Sequence, residues 1–230
     1  MKNIEKNQRY LNELASLEKT FQTVPKPHML SSCHCCHDLA EKRAFINTPL
    51  KQLSGELLGN FMFSVFNTIG DVESFKYFLP RALELVALDE FDEWCDIGLL
   101  GRKLAEANYQ QWSNGLPQAV DSMLRVIWQE KVLKQNMEAN PWGSSDYLCM
   151  IGNAVPDIYP YLSDLFNAPR QAAVFWENEI ERAREGQLSD SFWENEANKQ
   201  VVIKWVLSKR VEDLVMPIYL EDLKTRYNYE

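Results

Sequence analysis

A chain of 230 residues, 46% hydrophobic and 25% charged, can bury a sizeable core as one large domain or two small ones, which argues against disorder except at the ends. Its formal charge of −9 argues against non-specific nucleic-acid binding and against an anionic membrane surface, and it permits a basic protein partner. The opening MKNIEKNQRY is charged where a secretory leader needs an apolar run, and the uncharged stretch 57–70 is 14 residues against the ~20 needed to span a bilayer. The expectation is a cytoplasmic protein with no membrane association.

Residues 2–22 place Ile4, Leu11, Leu14, Leu17 and Phe21 among polar residues, which predicts an amphipathic helix ending before Pro25 and Pro27. A loop over 25–37 follows and holds all 3 histidines of the chain. A short helix is expected over 38–46, and a new one with Thr48 as cap and Pro49 at its first position. Leu57, Leu58, Phe61, Met62, Val65, Phe66 and Ile69 then cover more than half of a helix circumference, which predicts a central, mostly buried helix.

Gly70 can take the left-handed conformation that closes that helix, and Asp71 can cap the next. Phe75, Phe78, Leu79, Ala82, Leu83 and Val86 recur at helical spacing, and Pro80 predicts a bend or break near Phe78. Arg81 is expected to satisfy the carbonyl that Pro80 leaves without a donor, or to pair with a nearby acid. The acidic run 89–96 leads to a helix reaching about Trp112, which Asn114 and Gly115 end. Pro117 starts another helix, and 140–160 is the most irregular stretch, divided by Pro156 and Pro160.

Long periodic segments are expected over 168–185 and 190–210, the second with a continuous stripe of Trp193, Ala197, Val201 and Trp205. A helix over 214–227 with a kink at Pro217 closes the chain. The pentapeptide FWENE occurs at 175–179 and again at 192–196, and its spacing is shorter than any helix-pair repeat. Tyr159, Tyr161, Phe166, Trp176 and Trp193 read as packing. No segment reads as a strand, so the expected fold is all-α: a single domain over 1–230 of about ten helices, as an irregular multi-helix bundle or a solenoid-like array.

Two stretches carry chemistry. Cys33 and Cys36 form a C-x-x-C pair that can place two thiolates on one zinc ion, with His37 and His28 as further ligands; the alternative is a loop of reduced cysteines. A thioredoxin-type redox role needs a preceding strand, which is missing. The second stretch is Asp89, Glu90, Phe91, Asp92, Glu93, Trp94 and Asp96. It reads either as a docking patch for a basic partner, with aromatic anchors and charge steering, or as a charged helix start. Linear motifs for hydrolases, phosphate loops, zinc peptidases and dinucleotide binding are absent, which leans away from an enzyme.

The residues Thr48, Pro49 and Leu50, then Gly70 and Asp71, then Phe75, Phe78, Leu79, Pro80 and Arg81, together with the cysteine-rich element before them, resemble an uncharacterised bacterial family of all-helical proteins. The resemblance spans 25–88 and implies a helical fold and a bacterial origin, with no catalytic residues. The expected function is a non-enzymatic cytosolic protein-binding module, an immunity protein that neutralises a cognate, basic toxin domain. The alternative is a zinc-binding protein with a structural or regulatory metal in the 28–37 loop.

Overall fold

The helix carrying Asp71 and Pro80 organises the N-terminal half of the computed structural model, which describes residues 8–32, 39–91, 96–134 and 143–227. The fold is all-α, with eleven α-helices and, among the described residues, no strand beyond isolated bridges at Ile69. The chain forms two compact units, residues 1–127 and 128–230.

In the first unit, α1 (Gln8–Phe21) packs against α4 (Val72–Leu88) and α6 (Leu116–Ile127). Between them in sequence come α2 (Leu39–Asn47), a 3₁₀ turn (Leu50–Gln52), α3 (Gly55–Ser64) and α5 (Ile97–Glu106). Asp71 starts α4 as expected: its side chain accepts the Ser74 N–H at 2.8 Å while the Ser74 hydroxyl accepts the Asp71 N–H at 2.7 Å, a reciprocal capping box. Gly70 sits at φ +74, and its N–H donates to the Ser31 carbonyl at 2.7 Å. A Cβ there would meet the Ser74 hydroxyl at 2.9 Å and the Phe61 ring at 3.1 Å, so glycine is required for conformation and for space. Phe75, Phe78, Leu79, Ala82, Leu83 and Val86 are all buried, each large side chain contributing about 1.5–3 kcal/mol.

Pro80 does not break α4, which continues to Leu88, because its ring is buried among the apolar residues that hold the helix in place. The expected helix at Pro49 is replaced by the 3₁₀ turn; Thr48 instead donates its hydroxyl to the Ala44 carbonyl at 2.8 Å at the end of α2. Ser54 caps α3 by accepting the Leu57 N–H at 3.3 Å. Leu58, Phe61 and Met62 are buried but Leu57 is 48% and Phe63 61% exposed, so α3 is half-covered rather than central, and it ends at Ser64, short of the expected Ile69.

In the second unit, a π-helical segment (Trp128–Leu133) is followed by α7 (Ser144–Ala154), α8 (Tyr159–Leu165), α9 (Pro169–Arg184), α10 (Glu196–Val206) and α11 (Lys209–Tyr227). The helix α11 packs along α9, and α10 meets α7, α8 and α9. The expected continuous segment 190–210 is split. The buried Asn153 side-chain oxygen accepts the N–H groups of Glu194 at 2.9 Å and Asn195 at 3.1 Å, which holds that backbone out of a helix. Asn195 then caps α10 by accepting the Asn198 N–H at 3.1 Å. The buried face of α10 is accordingly Asn198, Val202, Ile203, Trp205 and Val206, and not the stripe through Ala197 and Val201.

Trp193 lies in the loop, against Gly152, where a Cβ would come within 2.4 Å of its ring. The two FWENE copies therefore differ: 175–179 lies inside α9, whereas 192–196 forms a loop and a cap. Tyr161 and Trp176 are packed as expected, while Tyr159 is half-exposed.

Candidate functional site

The acidic run lies between two helix ends. Asp89, at φ 56, is the left-handed C-terminal cap of α4, and the N–H groups of Glu90 and Phe91 donate to the Leu85 carbonyl at 2.9 and 3.2 Å. Asp96 caps α5 by accepting the Gly98 N–H at 2.7 Å, and burial raises its carboxyl pKa despite that bond. Phe91 is 3% exposed, so it belongs to the core and is not available as an aromatic anchor. Glu90 is exposed, and Asp92, Glu93 and Trp94 lie outside the described residues. Of the expected zinc ligands, His28 is exposed on the loop after α1, and Cys33, Cys36 and His37 lie outside the described residues. Among the described residues no group of three or more His, Cys, Asp or Glu side chains is arranged to hold a metal ion.

Two features of the first unit are better formed. One is a groove of about 540 Å³ between α2 and α3, lined by Lys42, Phe45, Thr48, Leu57, Asn60, Phe61, Ser64 and Ile69. Leu57, Asn60, Phe61 and Ser64 stand at i, i+3, i+4 and i+7, so one stripe of α3 forms its wall. Phe45 and Phe61 stack at 5.3 Å to make an aromatic floor, backed by Phe78 at 4.8 Å from Phe45. Lys42, the charged side chain on the lining, is directed to the Ser32 hydroxyl.

The other is an ion cluster where α1, the 3₁₀ turn and α4 converge. Arg81 donates from Nε to the Leu53 carbonyl at 3.2 Å and from Nη1 to Glu84 Oε2 at 2.9 Å. Lys51 donates to the same Glu84 oxygen at 3.0 Å and pairs with Glu18. Arg81 thus finds the neighbouring acid, and its second bond goes to Leu53 rather than to the carbonyl freed by Pro80. Burial opposes the charge on Lys51, but its bonds to Glu18 and Glu84 outweigh that and raise its pKa. Tyr10 donates its hydroxyl to the Glu84 carbonyl at 3.3 Å, and burial, then the negative charges of Glu84 and Asp89, hold its pKa far above the usual phenol value.

No family model, curated protein or solved structure matches this chain in comparisons with known proteins. No helix of the described residues is long and apolar enough to cross a membrane.

The sequence anticipated an acid beside Arg81 but neither the rest of the ion cluster nor the groove, although each left a trace. Tyr77, Arg81 and Glu84 recur four and three residues apart, a second stripe on α4 beside the apolar one. Lys51 and Glu18, which complete the cluster, are 33 residues from each other in the chain and carry no shared pattern. The groove depends on where α3 begins, which the Ser54 cap decides.

Proposed function

We propose that this chain is a non-enzymatic protein-binding module of the immunity type, holding a basic toxin domain of the bacterium that makes it, and that the α2–α3 groove is its contact face. The observation that carries the reading is Leu57, 48% exposed on the lining of a groove with an aromatic floor, with Phe63, 61% exposed, elsewhere on the same helix. Large side chains left in water beside a concave apolar surface are the usual mark of a contact site. The net charge of −9 favours approach of a basic partner, and the groove would then take an apolar side chain from it.

An immunity protein is encoded beside its toxin, so the partner to test is the product of the adjacent gene. Isothermal titration of the purified pair should give a saturable complex that weakens as salt rises. The double variant Leu57→Asp, Phe63→Asp should weaken it by about a hundredfold or more, or ~2.7 kcal/mol, and abolish protection of cells expressing the toxin. Undiminished binding by a folded double variant, or no complex with that gene product, overturns the reading.

A further inference from the structure

We propose that the ion cluster at the crossing of α1 and α4 is a binding site for a free α-amino acid with an apolar side chain. The cluster opens into a pocket of about 280 Å³ whose lining includes Glu18, Phe21, Leu50, Lys51, Arg81 and Glu84. That volume lies just below the ~300–1,000 Å³ of pockets for drug-sized ligands, so it suits a molecule of amino-acid size.

The donors and acceptors are only partly used. Glu84 receives both Lys51 and Arg81 on Oε2, and its Oε1 has no partner among the described residues. Arg81 spends Nε on the Leu53 carbonyl and Nη1 on Glu84, which leaves the N–H groups of Nη2 without a protein partner among the described residues. Lys51 uses two of its three N–H groups, on Glu18 and Glu84. The guanidinium and the Glu84 carboxylate are held at 12% and 11% side-chain exposure, so their geometry is set before any ligand arrives.

Charge balance selects the ligand class. Two cations and two carboxylates make the pocket formally neutral, and a lone anion or cation entering it would leave one unpaired charge partly removed from water. A zwitterion adds no net charge. Its carboxylate meets Arg81 and Lys51, its ammonium meets Glu84 and Glu18, and Phe21, Val24 and Leu50 offer apolar surface to its side chain.

The test is titration of the full chain with L-leucine and L-methionine, followed by backbone amide NMR. Saturable shifts confined to the pocket residues, with a Kd of ~1 mM or tighter, are expected. 4-Methylpentanoate, which lacks the ammonium, and 3-methylbutylamine, which lacks the carboxylate, should each bind at least about tenfold more weakly. Glu84→Gln should weaken leucine by about tenfold or more; should it fail to fold, Lys51→Met, at a half-exposed position, is expected to fold and to weaken leucine by a similar factor. The absence of shifts with both amino acids, equal binding of either single-charge analogue, or unchanged leucine affinity in a folded Lys51→Met variant overturns the proposal.

Discussion

Beside α4 the buried Glu84 is tied to other ions, whereas between α7 and α10 the buried Asn153 and Asn198 are neutral amides bonded to backbone. The first arrangement is Glu18, Lys51, Arg81 and Glu84, whose outer members are half in water. In the second, Asn198 bonds the Gly152 carbonyl at 2.7 Å, the Val155 carbonyl at 2.8 Å and the Ile158 N–H at 3.3 Å, and Asn153 bonds the Phe192 carbonyl at 2.8 Å as well as the two loop N–H groups. An amide has two donors and two acceptor sites, so it can be satisfied by irregular backbone without carrying a charge. Such a group fixes where helices end. Ions with unused donors and acceptors, by contrast, fix geometry and still leave capacity for a ligand. Even Glu179, a buried acid of the second unit, accepts both the N–H of Ser189 at 2.7 Å and its hydroxyl.

The comparison breaks most visibly at Asn198. Its replacement by Ala leaves three buried backbone groups without partners, at about 1–3 kcal/mol each, so a loss of ~3 kcal/mol or more is expected in urea unfolding. A loss under ~1 kcal/mol would mean that water replaces the amide and that the cluster is not what holds the helix ends. Next comes Arg81→Ala, which frees the Leu53 carbonyl and leaves Glu84 with Lys51 alone; about 2 kcal/mol is expected by the same measurement.

A smaller effect comes from Asp71. The Ser74 N–H holds its carboxyl below the usual value, so folding favours the ionised form. The corresponding stability is present above the unfolded carboxylate pKa of ~3.9 and is lost as pH falls through the lower folded value. Hydrogen exchange between about pH 5 and pH 3 should therefore show α4 loosening in the parent protein, with that pH dependence reduced in Asp71→Asn, whose amide still caps the helix but does not titrate. Least affected is Lys51→Met, where the half-exposed ammonium is screened by water and a change within about 1 kcal/mol is expected. A larger loss would show that the outer ions hold the fold as firmly as the buried amides do.

Much of the first unit was legible because its signals are local. The cap at Asp71 and the apolar stripe of α4 arise from residues three or four positions apart, the range over which a helix brings groups together, whereas Gly70 is left-handed without closing α3, which ends at Ser64. The same short range explains the errors. Trp193, Ala197, Val201 and Trp205 have helical spacing, yet Asn153, some 40 residues earlier, claims the N–H groups at 194 and 195 and converts that stretch into a loop and a cap. The second FWENE copy follows the loop while the first stays in α9, so five identical residues take two conformations according to what lies beside them.

The candidate sites were less legible than the fold. Phe91 carries the composition of an anchor and is buried; Leu57 carries the composition of core and stands in water. By itself the sequence determined the all-helical class, most helix positions and the acidic character, since periodicity, capping and composition act along the chain. Only the tertiary structure decided which charged residues meet and which apolar residues stay exposed. Those outcomes depend on helix crossings between segments tens of residues apart, and a crossing leaves no periodic mark in either segment.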